Sequence, residues 1–186
     1  MKPTVAKVGG SLFDLPDLRH RLREWGSCRS GTVMLIPGGG DGADVIRCLD
    51  RLHCLGEEAA HWLALRVLAV NAAFLGALLE IAVVPGPPPG SGMAVLDPHA
   101  FSLSDEGRPG ALEHAWTATS DAIAARVAEI AGADLVMFKS TDLSADLSWP
   151  GAAAAGLVDE TFATVVSRAG IRVSWINLRG KLPTWR

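Results

Sequence analysis

Lys7-Val8-Gly9-Gly10-Ser11 places a cation, two glycines and a hydroxyl at the end of an apolar run, Thr4 to Val8. A strand ending this way before a helical segment gathers backbone N–H groups at one point, a nest that suits phosphate oxygens. The same Gly-Gly-Ser also makes an ordinary strand-to-helix turn, so the rest of the chain has to decide. A second glycine loop, Pro37-Gly38-Gly39-Gly40, follows another apolar run, with Asp44 and Arg47 just beyond it. Lys139-Ser140-Thr141-Asp142 follows a third, and Thr119 to Asp121 forms a fourth polar group. Moving a phosphoryl group requires neutralising negative oxygens and holding them in line, and lysines and backbone N–H groups supply both.

Each of these residues also has an ordinary structural reading. Lys7 and Lys139 could be strand-end lysines with their heads in water. Asp121, in the first turn of a helix, could answer the helix dipole; alternatively it orients the two lysines or reaches a magnesium ion. Asp44 and Arg47 are spaced either to hold an acceptor or to pair on a helix surface. His61, on an otherwise apolar helix, fits a core histidine as well as an acceptor contact. No metal-ligand set can be assigned.

The elements that would position these residues alternate. Strands are expected at 4–8, 31–36, 81–84, 93–96, 115–119, 134–138 and 171–176. Helical periodicity runs from Leu12 to Trp25, stopped by Gly26. It returns on Val45, Ile46, Leu49, Leu52 and Leu55, over 57–80, over 120–131 with Ser120 as cap, and near 159–169. Residues 102–112 are polar and turn-rich, and 177–186 form a polar tail. Repeated strand and helix units predict an α/β fold, a three-layer α/β/α sandwich with a mainly parallel central sheet. In such sheets ligands sit outside the carboxyl ends of strands, where the polar groups fall.

The 186 residues suit a single domain over 1–186, with Pro85-Gly86-Pro87-Pro88-Pro89-Gly90-Ser91-Gly92 as a loop or lid. Hydrophobic residues at 49% exclude a disordered chain, and a net charge of -3 without a basic cluster argues against nucleic acid. Cys28, Cys48 and Cys54 include no Cys-x-x-Cys pair, which speaks against a disulfide framework and a structural zinc site. With no signal-like core ahead of Gly9-Gly10, the expected location is the cytoplasm. The apolar stretch from Ala59 to Val84 holds His61, Arg66, Asn71 and Glu80, so a buried helix and a strand are expected there, with no membrane partner.

Lys7-Val8-Gly9-Gly10-Ser11, Pro37-Gly38-Gly39-Gly40, Trp116-Thr117-Ala118-Thr119-Ser120-Asp121 with Ala124-Ala125, and Lys139-Ser140 together resemble the amino acid kinase family, over roughly residues 4–177. With His61-Trp62-Leu63-Ala64 opening a long helix, they look most like its aminomethylfuran phosphate kinase branch, which acts in methanofuran biosynthesis and one-carbon metabolism. The resemblance implies a kinase that uses ATP and Mg2+ on a small phosphate- or carboxylate-bearing metabolite, in that branch [5-(aminomethyl)furan-3-yl]methyl phosphate. By position, Lys7 would stabilise the transferring phosphoryl, Asp121 would organise the lysines, and Lys139 would approach the nucleotide. Gly9, Gly10, Ser11, Ser140 and Asp142 would serve the nucleotide phosphates, and Gly38, Gly39, Gly40, Asp44, Arg47 and His61 the acceptor. A homo-oligomer, dimer or larger, is also implied. The alternative is a non-catalytic nucleotide- or oxyanion-binding protein on the same fold. Larger members continue into a further lysine-bearing segment, and here Lys181 is its candidate stand-in.

Overall fold

The computed structural model describes residues 2–87, 91–144 and 146–180. Among them six strands form one sheet: β1 (Thr4–Val8), β2 (Thr32–Pro37), β3 (Val83–Val84), β4 (Gly92–Leu96), β5 (Asp134–Lys139) and β6 (Val173–Asn177). Their order is β3-β4-β2-β1-β5-β6, and every pairing is parallel. The helices are α1 (Leu18–Ser27), α2 (Gly40–His53), α3 (Glu57–Leu79), α4 (Pro98–Asp105), α5 (Ser120–Ala131), α6 (Trp149–Ala154) and α7 (Glu160–Ala169), with a 3-10 turn at Gly10–Leu12. The α/β/α sandwich expected from the sequence is therefore the fold.

A parallel sheet covered on both sides needs strands apolar on both faces, and β1, β2 and β5 meet that need. Val5, Met34, Ile36, Leu135 and Met137 face α5 and α7, through Ile123, Val127, Phe162 and Val166. Ala6, Val8, Leu35, Val136 and Phe138 face the other way, onto Leu18, Leu22 and Trp25 of α1. Trp25 meets Phe138 edge-on at 4.9 Å. Fully burying such side chains contributes about 1.5–3 kcal/mol each.

Several elements differ from the sequence expectation. The first helix begins only at Leu18, after Pro16, and runs through Gly26 to Ser27. Residues 98–105 form α4, which takes in 102–105 of the stretch expected to be turn-rich, because Asp97 accepts from the backbone N–H of His99 and Ala100 and Pro98 suits a first helical turn. Residues 115–119 are not a strand. Ala118 donates back to Ala115 in a turn, and the Trp116 indole donates to Asp50 at 2.9 Å. Ser120 is the first residue of α5, and its side chain does not cap that helix. Of the stretch expected as a lid, residues 88–90 lie outside the described residues, as does Lys181.

α3 is long and apolar enough to cross a bilayer by length and composition, with a mean hydropathy of 1.9. Here it packs instead within the domain. Leu65 and Leu68 join one core, and Ala72, Leu75 and Leu79 join the other.

Candidate active site

A side-chain period of two puts Lys7 and Lys139 on the same face of the sheet. Lys7 pairs with Met137 across β1 and β5, and Lys139 lies two residues beyond Met137. That face is covered by α5, whose first turn carries Asp121. The three residues therefore meet: Lys7 Nζ is 2.8 Å from Asp121 Oδ1, and Lys139 Nζ is 2.8 Å from Asp121 Oδ2. Lys7 and Asp121 are each 5% exposed. Lys139 also donates to the Leu157 carbonyl at 2.7 Å and stands 5.4 Å over the Trp175 ring.

Burial alone would raise the Asp121 carboxyl, but the charges of Lys7 and Lys139 outweigh it and hold the group below its usual range. Lys139 is pushed down to about 8 by burial and by repulsion from Lys7, against the attraction of Asp121. Two cations share one carboxylate, so the centre keeps a positive excess. This is the charge that a phosphoryl group in transfer requires.

Asp159 fixes where Asp121 stands, and sequence reasoning did not single it out. Its Oδ2 accepts from Thr119 N, Thr119 Oγ1 and Ala122 N at 2.7–2.9 Å, and its Oδ1 accepts from Phe162 N at 2.7 Å. One carboxylate thus caps both α5 and α7, doing for α5 what Ser120 was expected to do. Burial, reinforced by the Asp121 charge, raises its pKa.

The two glycine loops touch backbone to backbone. A Cβ on Gly10 would lie 2.2 Å from Gly40 N, and one on Gly38 would lie 2.5 Å from Gly10 N, so neither position has room for a side chain. The contact corrects part of the phosphate-nest expectation. Gly9 N donates to Phe138 O at 2.9 Å and Gly38 N to Val8 O at 2.7 Å, so those two N–H groups are taken by the sheet. The N–H groups of Gly10, Gly39 and Gly40 have no backbone acceptor among the described residues. Asn71, in the middle of α3, donates to the carbonyls of Gly38 and Gly39 at 2.8 and 2.9 Å and so holds the second loop. Its signal in the sequence was a lone amide in an apolar helix.

Beside these loops lies a cavity of about 280 Å³. Ser11, Gly39, Gly40, Asp44, Arg47, His61 and Trp116 line it over an apolar floor that includes Leu65, Leu68 and Ile123. Arg47 pairs with Asp44 at 2.8 Å, the surface-pair spacing, and also covers the Trp116 ring at 4.8 Å. A second, more open hollow of about 640 Å³ runs along one face of β6, from Val173 through Trp175 to Asn177, against Trp149 and Ser167, and reaches Asp142 beyond β5. In sheet order the lysines of β1 and β5 stand between the strands that border the two spaces. Ser11 and Ser140, on facing loops, hydrogen-bond at 3.0 Å.

The residues present do not build a resident magnesium site. Both Asp121 oxygens face lysines, and no group of three His, Cys, Asp or Glu side chains among the described residues could hold an ion.

The fold is that of the amino acid kinase family, as the sequence resemblance implied. The chain is similar in structure to uridylate kinase from Archaeoglobus fulgidus, with a TM-score of 0.63 and 18% identity over 95% of this chain and 90% of that one. It is likewise similar to UMP kinase from Bacillus anthracis, with a TM-score of 0.62 and 12% identity over 95% and 87%. In sequence it is 24% identical to [5-(aminomethyl)furan-3-yl]methyl phosphate kinase of Methanocaldococcus jannaschii, over 68% of this chain. The match spans 60% of that protein's length. No protein-family model matches the chain.

Proposed function

We propose that the chain is an ATP-dependent phosphotransferase that moves a phosphoryl group onto a small metabolite bearing a phosphate or carboxylate, with [5-(aminomethyl)furan-3-yl]methyl phosphate as the leading acceptor. The observation that carries this is the Lys7–Asp121–Lys139 centre, two lysines from adjacent strands held on one buried carboxylate. The similarity to the Methanocaldococcus jannaschii enzyme supports the acceptor class.

In this proposal the nucleotide lies on the β5–β6 side, with its base near Trp149 and Trp175, and the acceptor occupies the smaller cavity. An oxygen of the acceptor phosphate attacks the γ-phosphorus of ATP; the bond from that phosphorus to the β-bridging oxygen breaks, and ADP leaves. The acceptor becomes a diphosphate. An ionised phosphate oxygen carries no proton to remove, which accords with a centre built from cations and a carboxylate ion-paired to both of them, without a general base. Lys7 and Lys139 neutralise the oxygens in transfer, Asp121 holds the two lysines apart and aimed, and the N–H groups of Gly10, Gly39 and Gly40 are available to phosphate oxygens.

The test is ADP release from magnesium-ATP and the furan phosphate, with the diphosphate product followed by 31P NMR. Lys7→Ala should lower kcat by about 10²–10³, the usual cost of removing one charge-stabilising donor. Unaltered turnover in Lys7→Ala would sink the assignment. Tight ATP binding by calorimetry with no ADP release across a panel of acceptors would make the protein a binder. We further infer a homo-oligomer joined through α2 and α3, where Val45, Leu49, Leu52, Leu63, Val70 and Phe74 are exposed. A reducing cytoplasm suits the three exposed cysteines.

A further inference from the structure

A cluster of titratable side chains beside the acceptor cavity takes no part in the chemistry above. His61, on the second turn of α3, forms part of the cavity wall and is 9% exposed. Neither of its ring nitrogens has a hydrogen-bond partner in another side chain among the described residues. Its ring is stacked on that of His114, with 4.6 Å between centroids and 19° between planes. His114 sits in the segment joining α4 to α5. Its Nδ1 is 2.5 Å from Glu58 Oε2 and its Nε2 is 2.7 Å from Glu106 Oε1.

Carboxylates at both ring nitrogens suit the imidazolium. A neutral imidazole has one N–H and would turn its bare nitrogen on the other carboxylate. Trp62 completes the cluster, donating to Glu58 Oε1 at 2.7 Å and meeting the rings of His61, His99 and His114 edge-on. The charged and titratable groups around His114 are Glu58 and His61 on α3, and His99, Asp105 and Glu106 at α4. Arg126 of α5 is also present, and it binds Asp105 through two nitrogens at 2.8 and 3.1 Å. Asp105 is thereby engaged, leaving Glu58 and Glu106 to hold the proton.

We propose that His114 is a positioning residue for the acceptor: clamped between Glu58 and Glu106, it ties α3 and α4 to the segment before α5 and holds His61 as a fixed wall of the cavity. The inference rests on that cavity being the acceptor site. It means that the acceptor meets a wall of fixed shape, in which His61 offers an uncharged nitrogen donor and acceptor. Burial works against the charge on His114, but the two carboxylates outweigh it and raise the group above 6.5. His61 is pushed down to about 4, by burial first and then by the charge on His114. The clamp is therefore complete below pH 6.5 and is lost as pH rises through the raised His114 value, and acceptor affinity falls on the alkaline side.

The experiment compares wild type, His114→Ala and Glu106→Gln by hydrogen exchange and by steady-state kinetics with the furan phosphate. In His114→Ala, amides of residues 111–119 should exchange about 10-fold faster at equal pH below 6.5. The acceptor KM should rise about 10-fold while the ATP KM stays within about twofold. Glutamine at position 106 can donate to a neutral His114 while removing one of the two charges that hold the proton. Glu106→Gln should therefore keep the wall when His114 is neutral and flatten the alkaline rise in acceptor KM. Unchanged exchange in His114→Ala overturns the proposal, as does an acceptor KM that rises only in step with the ATP KM. If the wild type turns over no acceptor, the kinase proposal fails separately. Exchange then decides the clamp: faster in His114→Ala supports it, and equal rates overturn it.

Discussion

Asp121→Asn is the most informative perturbation, because it removes a charge from the centre without changing its shape. Both carboxylate oxygens lie 2.8 Å from a lysine nitrogen, and the group is buried. Breaking a buried ion pair by removing one partner costs about 3–5 kcal/mol, since the remaining charges stay in the interior. For a chain of 186 residues that corresponds to a fall in Tm of about 6–20 °C. Lys139 limits the loss because it can shed its proton. Its pKa of about 8 already lies about 2.5 units below the ordinary value of 10.5. This depression makes its charge cost about 3 kcal/mol at neutral pH, to order of magnitude.

The sign of the pH dependence follows from that depression. Between the folded value and the unfolded value the unfolded chain binds more protons, so stability rises with pH across about 8 to 10.4 in the wild type. In Asp121→Asn the attraction of the carboxylate is gone, the folded value drops below 8, and the rise begins at lower pH. The difference between the two proteins is then greatest near pH 6 and smaller at pH 9, where Lys139 is neutral in both. Urea unfolding at the two pH values measures it. A loss under about 1 kcal/mol at pH 6, or an equal or larger loss at pH 9, would refute the two-cation account.

Gly10→Ala should abolish turnover and cost more than about 2 kcal/mol in urea unfolding, because its Cβ would lie 2.2 Å from Gly40 N and the two loops must part. Asn71→Leu leaves the Gly38 and Gly39 carbonyls without their donor, at a cost of about 1–3 kcal/mol, and should raise the acceptor KM more than the ATP KM. Leu52→Glu together with Val70→Glu, at side chains 70% and 68% exposed, should convert an oligomer to monomers in sedimentation with folding stability nearly unchanged. A wild type that is already monomeric at micromolar concentration would remove the basis for that interface.

Strand positions and the lysines at their ends were legible because a buried parallel strand has to be apolar on both faces, so the run itself marks it. Helix α2 shows the limit of periodicity. Val45, Leu49 and Leu52 repeat at helical spacing and mark the helix, yet they are exposed, at 39–70%. A hydrophobic stripe reveals that a surface will be covered without saying by what. The segment 115–119 misled because Ala115, Trp116 and Ala118 look like strand residues, while the indole of Trp116 is held by Asp50 and Arg47, which lie far away along the chain.

The sequence by itself determined the alternation, the parallel sandwich, and the strand-end placement of Lys7, the glycine loops and Lys139, since all of these follow from local pattern and from the rule that such sheets present their carboxyl ends. Only the tertiary structure decided which groups meet. The common face of Lys7 and Lys139 depends on the register between β1 and β5. The seat of Asp121 depends on a cap supplied by Asp159, 38 residues away. The His61–His114 stack depends on α3, α4 and residues 107–119 converging. Such contacts join side chains distant along the chain through hydrogen bonds and charge, and a local pattern carries no record of them.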